Sequence, residues 1–131
     1  MNIEDIISAK ICPYCGCAPE YVDSVRIYGR SYGMIYLCAA CDAYVGVHKG
    51  TSNPLGRSAN KELRNWKKRA HAYFDVIWQS GYKSRSAAYE MLARHLNLPK
   101  EYCHIGMFSA KTCIKVIWWS ISQVEVLERQ F

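Results

Sequence analysis

The chain of 131 residues has the length of about one domain, and because half of its residues are hydrophobic it can bury a core instead of remaining disordered. No run approaches the roughly 18 apolar residues of a membrane-spanning helix, and residues 1–5 lack the basic and apolar regions of a secretory signal, so we expect a cytoplasmic protein. The net charge of +6 equals the balance of residues 49–71, where seven lysines and arginines face one glutamate, and this basic block indicates an anionic partner.

Four of the seven cysteines form two CxxC pairs, Cys12 with Cys15 and Cys38 with Cys41. In a reducing cytoplasm such pairs indicate metal ligation, because two intervening residues let one tight turn aim both sulfurs at an ion. Two such turns complete a tetrahedral zinc site with Zn–S bonds of about 2.3 Å, and Gly16 permits the chain to leave the first turn with a positive φ. Four thiolates leave no coordination position for substrate, so the predicted zinc ion is structural. A redox dithiol would explain one pair alone, but the ribbon spacing of two pairs favours zinc.

The segment between and after the pairs predicts a zinc ribbon. β-rich residues within 21–28 indicate the first strand, residues 29–33 a turn, and residues 34–37 a second strand that leads into the second cysteine pair. Residues 43–47 predict a third strand. Because such a small sheet has little core, the metal is expected to supply much of its folding free energy.

Three helices are predicted after a turn-rich connection over residues 49–56. The first runs from about residue 58 to residue 80 and is stopped by Gly81. The second begins after Ser84 or Ser86 and ends at His95. The third is capped by Ser109, and its apolar repeat consists of Ile114, Ile117, Trp118, Ile121, Val124 and Leu127.

The combined pattern predicts an α+β fold. We assign residues 1–48 to an N-terminal four-cysteine zinc ribbon of three short antiparallel strands. Residues 49–131 are assigned to about three α-helices packed on that ribbon, the two parts forming one compact unit.

The first predicted helix has one apolar face and one basic face at about 100° per residue. The apolar arc consists of Leu63, Trp66, Ala70, Tyr73, Phe74 and Ile77. The cations that we expect to contact nucleic-acid phosphates are Arg57, Lys61, Arg64, Lys67 and Lys68. A solvated helix face is the alternative interpretation of this basic row.

Several motifs together carry a resemblance to a known family. They are Cys12-Pro-Tyr-Cys-Gly, Tyr28-Gly-Arg-Ser-Tyr32-Gly, Cys38-Ala-Ala-Cys-Asp-Ala-Tyr-Val-Gly-Val-His48, Asn53-Pro-Leu-Gly56, Phe74-Asp75 and Cys103-His104-Ile105-Gly106-Met107-Phe108. From about Cys12 to Ile117 the chain resembles a small family of phage and bacterial proteins described as zinc-finger-containing. The resemblance implies zinc at the four cysteines and a prophage, phage or mobile-element setting. It implies no reaction, and residues 119–131 lie outside it.

Four polar residues are weak candidates for chemistry: His48, His71, Asp75 and His104. His71 and Asp75 are four residues apart on a predicted helix, so they share a face and could form a His–carboxylate pair. Such a pair can orient an imidazole for general-base work or for metal ligation. An ordinary surface contact is the favoured interpretation.

Three cysteines remain outside the two pairs. Cys17 follows the first pair too closely to serve as a fifth ligand, although it could replace Cys15 in some states. Cys103, His104 and Cys113 could provide half of a second metal site, but free cysteine is often fully buried. We therefore favour simple packing for them.

Three functions remain, of which nucleic-acid binding is preferred. Tyrosines that could stack on bases, where exposed, are Tyr14, Tyr28, Tyr32, Tyr36 and Tyr44. The second function is a protein-interaction adaptor, because one helix cannot bury both Trp118 and Trp119 on a single face. The third is an enzyme that uses His71 and Asp75 with His48 or His104.

A zinc-supported nuclease of the ββα-metal class is disfavoured. Such enzymes place a histidine-containing catalytic element between or just after their paired CxxC motifs. Here the segment between the pairs has no histidine, and its only acids are Glu20 and Asp23. The chain also lacks a Walker loop, a GxSxG elbow, an HExxH motif and a dinucleotide glycine pattern.

Overall fold

Three short strands form one antiparallel sheet in the order β1-β2-β3. The computed structural model describes residues 2–130, and its strands are β1 (Glu20–Asp23), β2 (Met34–Cys38) and β3 (Ala43–Gly46). A short helix, α1 (Ile3–Ile7), precedes them and was not predicted. Burial alternates along β3 and along the first four residues of β2, so Ile35 in β2 is buried while its neighbours are only half-buried. The predicted three-stranded sheet is confirmed.

The prediction of strand across residues 25–28 is wrong, because these residues form a helical turn, α2 (Val25–Tyr28). The cause lies at the end of β1, where Asp23 Oδ1 accepts a hydrogen bond of 2.8 Å from the Val25 backbone N–H. Ser24 then links this turn to the next strand, since its N–H donates to the Gly33 carbonyl at 2.9 Å. These local bonds override the β preference of the apolar residues that follow.

The first long helix, α3 (Lys61–Phe74), begins later than predicted. Ala59 forms an antiparallel bridge with Tyr44 of β3, with N···O distances of 2.9 and 3.1 Å, so this segment is extended. Asn60 then caps the helix, because its Oδ1 accepts a hydrogen bond of 3.0 Å from the Leu63 N–H. A separate turn, α4 (Val76–Gln79), follows, and Gly81 with φ of +80° ends the helical run.

The second long helix begins and ends close to the predicted residues, and the third begins where it was predicted to begin. Ser84 caps α5 (Arg85–Leu96) by accepting a hydrogen bond from the Ala87 N–H at 3.1 Å, and Asn97 ends it in a left-handed conformation. Ser109 caps α6 (Ala110–Gln130) in the same way through the Thr112 N–H at 3.3 Å. Two 3-10 turns, Lys100–Tyr102 and Ile105–Met107, connect the two helices.

The buried face of α6 differs from the predicted face. Its buried residues are Cys113, Val116, Ser120 and Leu127. Of the predicted repeat only Leu127 belongs to this set, and Trp118 is 69% exposed. The prediction of this face failed because α6 is apolar over much of its circumference, so an apolar repeat does not identify which side is buried. The buried side includes the polar Ser120, which an apolar repeat leaves out.

The chain divides into two compact units, Met1–Arg64 and Asn65–Phe131. Residues 49–64, which were predicted to belong with the helices, lie in the unit of the sheet. Their bridges explain this, since Pro54 pairs with Val47 and Ala59 with Tyr44. No helix within residues 2–130 combines the length and the apolar character needed to cross a membrane.

Candidate metal centre

The first cysteine pair lies in a closed loop before β1. The Cys12 N–H donates to the Cys17 carbonyl at 2.8 Å, and the Gly16 N–H donates to the Cys12 carbonyl at 2.8 Å. Gly16 has φ of +79°, the left-handed conformation that glycine adopts without a Cβ clash. This knuckle buries Cys12 and leaves Cys15 exposed at the surface.

The second pair forms the hairpin turn between β2 and β3. Cys38 is the last residue of β2, and a 3-10 turn, Ala39–Cys41, carries the second sulfur. Asp42 closes the turn in a left-handed conformation with φ of +50°, which aspartate tolerates better than most residues do. Cys38 then pairs with Ala43 in the sheet, so the hairpin register determines where its sulfur lies.

The structure brings the four predicted ligand sulfurs together. The sulfurs of Cys12, Cys15, Cys38 and Cys41 all lie within 4.8 Å of one another, and those of Cys15 and Cys38 are 3.6 Å apart. Zn–S bonds of about 2.3 Å in a tetrahedron require sulfur–sulfur distances of about 3.8 Å. The donor set and its spacing therefore fit a tetrahedral thiolate metal site, with no position left for a substrate.

Neighbouring thiols and burial shift the pKa values of Cys15, Cys38 and Cys41. The Cys15 pKa is lowered to about 7, first because the Cys17 backbone hydrogen-bonds its sulfur and next because the Cys38 thiol does. The Cys41 pKa is raised to about 12, chiefly through its hydrogen bond to Cys15 and then through burial, and burial raises the Cys38 pKa. One thiolate thus keeps its neighbours protonated, so four thiolates can coexist only around a cation, whose binding releases protons.

Arg64 supports the second knuckle from the start of α3. Its Nη1 donates to the Asp42 carbonyl at 2.9 Å and to the Ala59 carbonyl at 2.7 Å. Its guanidinium lies 4.2 Å from the centroid of the Tyr44 ring, and it also pairs with the Asp42 carboxylate at 3.3 Å. These contacts anchor the turn that carries Cys41. The sequence offered no signal for them, because the partners are distant in the chain.

The other predicted cations differ in how closely they contact the rest of the protein. Lys67 donates to the Gly106 carbonyl at 2.8 Å, and Arg57 is half-buried. Lys61 and Lys68 are exposed on α3, where a separation of seven residues places them on the same side of the helix.

His71 and Asp75 form the predicted pair, with His71 Nδ1 3.2 Å from Asp75 Oδ2. The other carboxylate oxygen accepts a hydrogen bond of 3.1 Å from Trp78 Nε1. His48 and His104 are exposed. Across residues 2–130, the four cysteines are the only cluster of three or more histidine, cysteine or acidic side chains arranged to hold a metal.

No second metal cluster includes the remaining cysteines of the described chain. Cys103 and Cys113 are buried, and the Cys103 thiol points to the Tyr89 carbonyl at 3.8 Å. Burial raises the Cys103 pKa to about 11, so this side chain is a protonated thiol at neutral pH. The interpretation as packed core residues therefore agrees with the environment of Cys103 and Cys113, whereas it is wrong for Cys17, which is exposed.

The two adjacent tryptophans of α6 have different surroundings. Trp119 stacks on Phe74 with ring centroids 6.3 Å apart and on His95 with centroids 5.6 Å apart. Trp118 is exposed over 69% of its surface. As expected for neighbours on a helix, only one of the two packs against the protein.

The fold and the four-cysteine cluster define an α+β protein with a metal-binding knuckle. A family model described as a zinc-finger-containing domain matches residues 8–123. The chain therefore belongs to this zinc-finger-containing family, which confirms the resemblance and extends it beyond Trp118. No curated protein and no solved structure matches the chain.

Proposed function

We propose that this protein is a nucleic-acid-binding module whose N-terminal sheet is held together by one structural zinc ion. Four sulfur ligands suit zinc, and the family to which the chain belongs is described as zinc-finger-containing. Bound zinc would supply four Zn–S bonds that link the loop before β1 to the β2–β3 hairpin. The cytoplasmic location and the phage or mobile-element setting stay predictions.

The concentration of positive charge carries the nucleic-acid part of the proposal. Residues 49–71 account for the whole net charge of +6, and the sheet has no substrate position at its metal centre. Lys61 and Lys68 are the side chains best suited to phosphates, because both are exposed on one side of α3. Arg64 and Lys67 already donate hydrogen bonds within the protein, so their phosphate contacts stay predictions.

We expect the double substitution Lys61→Glu/Lys68→Glu to weaken binding to random-sequence DNA and RNA. Each lost phosphate contact should reduce the slope of log affinity against log salt by about 1, so the two together should reduce it by about 2. Fluorescence anisotropy with labelled oligonucleotides over a salt series measures both the affinity and the slope. Arg64 is unsuitable for this test, because its replacement would disturb the turn of the second knuckle.

The matched control is Lys111→Glu/Lys115→Glu, which makes the same charge change at two exposed positions of α6. Equal losses in the two double variants would mean that only net charge matters and that α3 is not the contact surface. Absence of binding to DNA and RNA at low salt would contradict the proposal itself.

A protein-interaction adaptor is the second candidate, and the exposure of Trp118 favours it. Large exposed aromatics are common anchors at the centres of protein interfaces. We expect a host partner recovered by pulldown and mass spectrometry to be lost with Trp118→Ala and retained with Tyr73→Ala, an aromatic on α3 that is 46% exposed. Retention of every partner by Trp118→Ala would exclude Trp118 as the anchor.

A further inference from the structure

A groove in the first unit lies away from the four sulfurs. It has a volume of about 590 Å³, within the range of ligand-binding pockets. One part of its lining is aromatic, namely Tyr28, Tyr32 and Tyr44. Lys49, Thr51 and Leu55 from the connection after β3 also line it.

The three tyrosines differ in how far neighbouring side chains hold them in place. Tyr28 and Tyr44 are held by each other, since their hydroxyl oxygens are 3.2 Å apart and their rings meet edge to face at 6.1 Å. Tyr32 contacts the Tyr28 ring edge to face at 5.5 Å and is exposed over 69% of its surface. The groove therefore presents one largely uncovered aromatic ring beside a fixed aromatic pair.

The charge around the groove is positive. Lys49 is the only charged residue among the described residues that line it, and the Arg30 guanidinium lies 5.8 Å from the centroid of the Tyr32 ring. The carboxylates of two nearby acidic residues interact with other groups of the protein. Asp23 accepts hydrogen bonds from the Val25 N–H and the Ser31 hydroxyl, and Asp42 pairs with Arg64.

We propose that this groove binds an unpaired nucleotide of a single-stranded nucleic acid, with the base stacked on Tyr32 and the adjoining phosphate near Lys49. An aromatic platform next to cations is the combination by which proteins bind single strands without reading their sequence. The inference rests on the proposed nucleic-acid function and adds the strand state of the ligand.

A single strand suits this surface better than a duplex does. The bases of a duplex are stacked on one another, so their faces are not accessible to a tyrosine, whereas an unpaired base exposes its whole π-face. The exposed ring of Tyr32 has no use in sequence-independent duplex binding, which relies on phosphate contacts. The groove therefore favours unpaired DNA or RNA.

The test compares oligonucleotides of about 12 nucleotides as single-stranded DNA, single-stranded RNA and duplex DNA of the same sequence, measured by fluorescence anisotropy. We expect both single strands to bind more tightly than the duplex. The stronger of the two identifies the natural polymer, and either order agrees with the proposal.

The variants separate stacking from charge. Tyr32→Leu should weaken single-strand binding by about 5- to 150-fold, which is the effect of losing one base–aromatic stack. Lys49→Gln should reduce the single-strand salt slope by about 0.7. Tyr73→Leu is the matched control, because Tyr73 is an exposed tyrosine outside the groove and its replacement should leave binding unchanged. Bound metal and circular dichroism confirm that each variant is folded.

Two results would overturn the inference in distinguishable ways. If duplex binds as tightly as single strands and Tyr32→Leu has no effect, while Lys61→Glu/Lys68→Glu weakens binding, the groove assignment is wrong and the proposed function stands. If no nucleic acid binds to the folded protein, both the groove assignment and the proposed function are wrong. A protein partner would then be the remaining candidate for the groove.

Discussion

Replacing Cys15 by alanine is expected to eliminate stable metal binding and to unfold the three-stranded sheet. Structural zinc sites contribute on the order of 10–16 kcal/mol in small zinc domains, far more than a sheet with so few buried residues provides by itself. Cys15 is exposed, so its replacement removes a ligand without removing core packing. Metal content of the purified protein and the dispersion of backbone amide signals in an NMR spectrum measure the two effects.

Cys17→Ala is the matched control for this experiment. Cys17 is exposed and only two residues from Cys15, but its sulfur is not part of the four-sulfur cluster. We expect this variant to retain one metal ion per chain and an intact sheet. Full metal content in Cys15→Ala would contradict the four-ligand assignment. An unchanged sheet in wild-type protein after removal of the metal by a chelator would contradict the dependence of the sheet on metal.

The metal centre was predictable because its determinants are local. Each CxxC spacing specifies a turn, and the segment between the pairs shows the β preference of a short hairpin. The structure then places the second pair at the β2–β3 turn, where Cys38 faces Ala43 in register. A motif of this kind depends on neighbouring residues, which a single sequence displays directly.

The errors occur where partners distant in sequence or competing hydrogen bonds decide the structure. The segment before α3 reads as helical, but its extended form is determined by a bridge from Ala59 to Tyr44. The residues of α2 read as strand, but the Asp23 carboxylate draws the backbone into a turn. Neither competitor is visible in the periodicity of side chains.

The candidate functional surface was predicted only in outline. The basic block was identified from the sequence, because the net charge of a segment is the sum of its charged residues and requires no structure. The roles of its members required coordinates, since Arg64 supports the Asp42 turn whereas Lys61 and Lys68 remain exposed. The groove beside Tyr32 was also hidden, because Lys49 joins it through a connection with no apolar pattern.

Two neighbouring residues of α3 should respond very differently to replacement by alanine. Phe74 is fully buried, and its ring contacts Tyr89 at 4.7 Å and Trp119 at 6.3 Å between centroids. Phe74→Ala is therefore expected to lower the free energy of unfolding by about 3–5 kcal/mol. Tyr73 is 46% exposed, and Tyr73→Ala should change that free energy by no more than about 0.5 kcal/mol.

The comparison isolates burial, because both changes replace an aromatic residue by alanine in the same helix and so alter helix propensity similarly. All four tryptophans lie within Asn65–Phe131, so their fluorescence during urea unfolding reports on that unit and not on the three-stranded sheet. Equal unfolding midpoints for the two variants would contradict a core built around Phe74. A large shift for Phe74→Ala alone would show that this unit depends on aromatic packing.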